Sequence, residues 1–139
     1  MHVKTLYGFK QVHSIGYSVI DNPVHKKRIP DRLYEVTTRE GRLILTGKHC
    51  IILHKNSIHP LLLKYCFVFT STHYRMYAYL YPQAIPYTVS GKHVVYHLAL
   101  EHVKTPLDWR KQYEIEAIYA NGILCESTTT EIIQTMNKK

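Results

Sequence analysis

The chain has 139 residues, which at about 150 residues per domain makes roughly one domain. Apolar residues account for 45% and charged residues for 20%, which excludes wholesale disorder and collagen-like repeats. Lys and Arg number 18 against 10 Asp and Glu, and the resulting formal charge of +8 favours anionic surfaces while saying nothing about fold.

Leu33 to Thr38 has the make-up of a strand, Arg39-Glu40-Gly41 is a turn signal, and Arg42 to Thr46 reads as the returning strand. The pattern predicts a β-hairpin with Gly41 supplying positive φ near the tip. Cys50 to Leu53 is a third predicted strand, and Leu61 to Phe69 a fourth, interrupted only by Lys64. Met76 to Tyr81 alternates, with Met76, Ala78 and Leu80 on one face and Tyr77, Tyr79 and Tyr81 on the other. Pro82 and Pro86 bracket a loop. Val94 to Leu100 is a further strand after the turn signal Ser90-Gly91. Glu101 to Arg110, with Pro106, reads as a loop or a single helical turn, and Tyr113 to Tyr119 alternates weakly.

Asn121-Gly122 lies between Ile118-Tyr119-Ala120 and Ile123-Leu124-Cys125. That is a two-residue hairpin signal, because both central positions of a type I′ turn need positive φ. Thr128 and Glu131 have capping-box spacing ahead of Ile132, Ile133 and Met136, which predicts a short C-terminal helix. Many short strands make the expected class all-β, with one domain over 1–127 and a helical tail over 128–139. Two T-x-x-H segments, Thr46 to His49 and Thr70 to His73, each follow a β-rich run. They mark either a duplicated β-unit or a coincidence in a chain rich in His and Thr.

No apolar run approaches the ~18 residues of a membrane helix, and Met1 to Lys10 lacks the apolar core of a signal peptide. No membrane partner is expected. Cys50, Cys66 and Cys125 are an odd set without close spacing, which argues against a disulfide framework and a CxxC zinc site. A reducing, cytoplasmic setting is the expectation.

Thr46 and His49 are the first chemical candidates. A hydroxyl and an imidazole three residues apart at a strand-to-turn junction can face one backbone amide. The imidazole can give a proton to a departing amide nitrogen, and the hydroxyl can bind a tetrahedral oxyanion. The plain alternative is that Thr46 braces the turn and His49 is an ordinary half-buried residue. Cys125 is either a displaced nucleophile or a small core residue.

The stretch from Leu33 to His49, which ends in Thr46-Gly47-Lys48-His49, resembles the second block of the Hint family, the hedgehog/intein autoprocessing domains. Val3 to Ile15 looks like the tail of that family's first block. Tyr96-His97-Leu98-Ala99-Leu100 is similar to the strand before its last block, with His97 where the family often carries Asp. Tyr119-Ala120-Asn121-Gly122-Ile123-Leu124 resembles the last block. The four matches stand in family order over nearly the whole chain.

The resemblance implies a compact β fold with pseudo-twofold halves. It also implies an N-to-S or N-to-O acyl shift, in which a Cys or Ser at the first residue of the domain attacks the preceding carbonyl. Thr46, His49, His97, Asn121 and Cys125 are then the candidate catalytic residues, the partner is a fused flanking polypeptide, and no cofactor or metal is called for. Two departures matter. No Cys or Ser precedes Val3, so that either the first strand lies outside this chain or the activity has been lost. Cys125-Glu126-Ser127 stands where inteins carry an apolar residue followed by His-Asn, and Ser127 cannot cyclise to a succinimide. Full splicing is not expected.

Two other classes remain open. Tyr77, Tyr79 and Tyr81, near His73, Arg75 and Lys92, have the mixture of aromatic and basic groups that binds single-stranded nucleic acid, or else they pack a sheet face. A protein partner is the third occupant of such a face. The run His25-Lys26-Lys27-Arg28 reads as a solvated loop. His93 and His97 share a strand face and His54 and His59 flank a loop, but none has the company of a recognised zinc site.

Overall fold

The structure is a computed structural model that describes residues 2–5, 8–100 and 117–126. It is all-β. In chain order the strands are β1 (His2–Thr5), β2 (Gly8–Asn22), β3 (Leu33–Thr38), β4 (Gly41–Thr46), β5 (Cys50–His54), β6 (Phe67–Val68), β7 (His73–Tyr77), β8 (Ile85–Pro86), β9 (Gly91–Leu100), β10 (Ala117–Ala120) and β11 (Ile123–Glu126). They form three sheets, with orders β1-β2-β9, β10-β11-β5-β7-β6 and β4-β3-β8. The expected C-terminal helix over 128–139 and the expected loop at Glu101 to Arg110 lie outside the described residues.

The β3–β4 hairpin follows its sequence signal. Its register runs from Leu33 opposite Thr46 to Thr38 opposite Gly41, and Gly41 has φ +134°. Tyr34 and Val36 alternate onto one face and are buried there with Leu45, Ile51, Ala78 and Ala84, which makes the main core. Tyr34 is fully buried, and its hydroxyl donates to the Ile29 carbonyl at 2.7 Å, so its polar end is satisfied. In a second cluster, Phe69, just after β6, packs with Ile52, Ala117 and Leu124 of the five-stranded sheet.

The Asn-Gly signal also gives the predicted turn. Ala120 pairs with Ile123, and Asn121 and Gly122 have φ +48° and +83°.

Two predicted strands are corrected. Leu61 to Phe69 is not one strand but a 3-10 helix over Pro60–Tyr65 followed by β6. Pro60 presets a helical φ at the first position, and the His59 ring accepts the Leu61 N–H at 3.2 Å. Leu61 and Leu63 are exposed, so the apolar run is not a buried strand. The Met76 to Tyr81 strand ends at Tyr77, and Ala78–Leu80 is a 3-10 turn. There the backbone bends to meet the T-x-x-H turn, with Ala78 N–H donating to His49 O and Tyr79 N–H to Gly47 O, both at 3.0 Å. Tyr79 and Tyr81 therefore pack against the main core. Tyr77 and Tyr79 stack at 6.0 Å.

The basic run is also more than a solvated loop. Arg28 donates to the carbonyls of Tyr79, Tyr81 and Ala84 at 3.1, 2.8 and 2.6 Å. Just beyond it, Arg32 is 1% exposed and donates to the carbonyls of His25, Lys27 and Tyr87. Buried Asn22 donates to Tyr87 O and Val89 O and accepts the Leu33 N–H at 2.9 Å. Together these side chains tie the end of β2 and the 25–32 loop to the start of β3.

The two T-x-x-H turns do not close alike. His49 N–H donates to the Thr46 carbonyl, whereas His73 N–H donates to the Thr70 hydroxyl.

Candidate functional site

The first half of the site is the turn Thr46-Gly47-Lys48-His49. Besides the bond from His49 N–H to Thr46 O at 3.1 Å, Gly47 N–H donates to Arg32 O at 2.9 Å. Gly47 and His49 carbonyls accept from Tyr79 and Ala78, so the turn is held on both sides by backbone bonds. A Cβ at position 47 would stand 2.3 Å from the Pro30 carbonyl oxygen. Glycine is required there by that close approach, not by an unusual φ. The result is a rigid mount for His49.

The second half comes from β11. Cys125 pairs with Ile51 of β5, which sets the end of β11 beside the start of β5. The half-buried His49 ring donates to the Glu126 backbone carbonyl. Burial pushes the His49 pKa below its ordinary 6.5, the Glu126 carboxylate opposes that shift, and His97 reinforces it. The Glu126 carboxylate is paired with Arg75 of β7 at 3.2 Å and accepts from the Cys50 thiol. Burial first, and then Glu126, push the Cys50 thiol up to about 12.

The third contribution is the β2–β9 ribbon. The Ser18 hydroxyl and the His97 Nε2 are 3.0 Å apart, on strands whose register puts Gly16 opposite His97 and Ser18 opposite Val95. His97 is half-buried, and burial lowers its pKa below 6.5.

Of the residues singled out in the sequence, His49 meets the end of β11, and His97 acts on it electrostatically. Thr46 is half-buried at the end of β4, opposite Leu33, and its carbonyl closes the turn. Cys125 is 4% exposed with its thiol pushed up to about 12 by burial, the environment of a small core residue. Asn121 lies at the other end of β11. Its side-chain amide donates to Arg42 O at 2.8 Å, and its carbonyl accepts from the Thr38 hydroxyl, so it joins two hairpin tips.

Sequence reasoning missed Ser18 and Cys50, read Arg75 only as part of an aromatic and basic face, and assigned Glu126 no positive role. Ser18 and His97 are 79 residues apart, and no local spacing announces such a pair. The neighbouring Thr46 to Cys50 run carried the only local signal, since Cys50 adjoins His49.

The histidines proposed as metal candidates have other work. His54 and His59 accept backbone N–H groups at the starts of two 3-10 helices, and the His93 ring lies 2.9 Å from the Val89 carbonyl. Among the described residues there is no group of three or more His, Cys, Asp or Glu placed to hold a metal ion. Nor is any described helix long and apolar enough to cross a membrane. Comparisons with protein-family models, curated proteins and solved structures find no match to the chain.

Proposed function

We propose that this chain is a Hint-like autoprocessing module able to assist an acyl shift but not to complete splicing. The observation that carries this reading is the meeting of two remote segments at His49, its own turn and the end of the strand after the Asn-Gly turn, within the electrostatic reach of His97. These are the segments that resemble the second block, the last block and the strand before the last block of the family.

The chemistry follows from the state of His49. Its lowered pKa leaves the ring neutral near pH 7, with one nitrogen committed to the Glu126 carbonyl. The other nitrogen can take the proton of an attacking Cys or Ser as that atom bonds to the scissile carbonyl. The imidazolium so formed is a stronger acid than usual, and it passes the proton to the amide nitrogen as the C–N bond breaks. Thr46 is the candidate donor to the oxyanion. Glu126 stands where inteins carry a cationic His. Paired with Arg75, it holds the ring by its backbone and supplies no acid for a second cleavage.

The test joins a reporter polypeptide to the N-terminus through a Cys and adds an external thiol. Release of the reporter, lost in His49→Ala and kept in Cys125→Ala, is the expected result. A folded chain that releases nothing, or releases equally well as His49→Ala, overturns the reading.

The nucleic-acid alternative is less well supported, because Tyr79 and Tyr81 are used by the core.

A further inference from the structure

The β2–β9 ribbon has two different faces. Ile15, Tyr17 and Val19 of β2, with Val94 and Tyr96 of β9, are exposed on one of them. Ser18 and His97 alternate onto the other, and both are half-buried there. Their side chains meet diagonally across the strand pair, with 3.0 Å between Oγ and Nε2. That distance lies within the reach required for proton transfer from a nucleophile to its base. In the tautomer that carries its proton on Nδ1, His97 accepts from the Ser18 hydroxyl. Gly16, directly opposite His97, is buried. His97 in turn lowers the pKa of a second imidazole, His49, electrostatically.

We propose that Ser18 and His97 are a nucleophile–base pair that accepts an acyl group from an activated ester or thioester. In the step, the Ser18 O–H proton moves to His97 Nε2 while Ser18 Oγ bonds to the acyl carbon. The bond from that carbon to the leaving alkoxide or thiolate then breaks, and the leaving group takes the proton back from His97. The product is acyl-Ser18 and a neutral alcohol or thiol, with no oxidant, metal or cofactor involved. Burial keeps His97 neutral near pH 7, the form a base must have. The bland counterpart is a cross-strand hydrogen bond with no reactivity. Acyl transfer at Ser18 does not depend on the autoprocessing reading, since it needs neither an upstream nucleophile nor Thr46.

A fluorophosphonate probe, which marks activated serines, distinguishes the two. The folded chain is incubated with the probe across pH 5 to 8, and the adduct is mapped by peptide mass spectrometry. Labelling at Ser18 is expected, absent in Ser18→Ala and slowed by about 100-fold or more in His97→Gln. The rate rises with pH through a midpoint below 6.5, as His97 loses its proton. A Ser18→Cys chain acetylated at residue 18 by p-nitrophenyl acetate, again dependent on His97, is the second expected result. Circular dichroism verifies that each variant is folded. No label on Ser18 in the folded chain, or equal labelling in His97→Gln, overturns the proposal and leaves a structural hydrogen bond. Failure of thiol-induced cleavage with Ser18 labelling intact would remove the autoprocessing reading alone.

Discussion

The two ends of β11 are built on different principles. At its start, Asn121 and Gly122 make a type I′ turn, and Asn121 fastens that turn to the β3–β4 hairpin by bonds to Arg42 and from Thr38. At its finish, Glu126 meets His49 and Cys50, at the turn into β5, and Arg75 of β7. The turn at the first end is set by backbone conformation within four residues, and the bonds to Arg42 and from Thr38 only fasten it in place. The second exists only because β5, β7 and β11 are neighbours in one sheet. Side chains from remote segments converge at the second end, whereas the turn residues of the first end join two hairpin tips.

Substitutions separate the two ends. The largest effect is expected for Gly47→Ala in the His49 mount. Its Cβ would meet the Pro30 carbonyl carbon and oxygen at 3.0 and 2.3 Å, and these are backbone atoms that cannot swing aside. A loss of about 3 kcal/mol by urea denaturation is the expectation, with the His49 resonances displaced. Gly122→Ala comes next, at about 1–2 kcal/mol. It forces an alanine to φ +83° with its Cβ 3.2 Å from the Thr38 hydroxyl. The His49 environment should stay unchanged in that variant. If Gly122→Ala disturbs His49 as much as Gly47→Ala does, the ends are not independent.

A smaller effect concerns pH. His49 and His97 both bind protons less readily when folded, so the unfolded chain takes up more protons as pH falls below 6.5. Stability is therefore full above that value and declines on acidification. His49→Gln should flatten the decline, and a melting series from pH 7.5 to 4.5 measures it. On the alkaline side, Cys50 and Cys125 have raised pKa values of about 12 against 9.0 when free. Stability should thus fall as pH rises above 9.0, where only the unfolded thiols ionise, and both thiols should resist alkylation until the chain unfolds.

The smallest change in stability belongs to Glu126→Gln, at below about 1 kcal/mol, because the pair with Arg75 is partly solvated. It should nonetheless lower the His49 pKa further, since the carboxylate raises it.

What the sequence makes legible divides in the same way. The limits of β3, the start of β5 and the Asn121-Gly122 turn are readable because strand composition and turn chemistry are local. Leu61 to Phe69 misleads because Pro60 and His59 start a helical turn, and exposed leucines look in sequence like buried ones. Met76 to Tyr81 misleads because long-range bonds to Gly47 and His49 bend the chain after Tyr77. β2 escapes notice because its alternation is inverted, with Ile15, Tyr17 and Val19 exposed while Gly16 and Ser18 face inward. The run ending in Arg28 reads as a solvated loop, yet the Arg28 guanidinium satisfies carbonyls more than fifty residues away, as does that of Arg32 just beyond it. The candidate site was half legible: His49 and His97 were marked, while the partners that define their surroundings came from other strands.

The most direct test of convergence at His49 is its imidazole titration by NMR, with the signal assigned by His49→Gln. A midpoint below 6.5 that rises in His97→Gln, where a like-charged neighbour is removed, is the predicted result. A midpoint at or above 6.5 that is indifferent to His97→Gln and Glu126→Gln would contradict the meeting of the two segments within reach of His97.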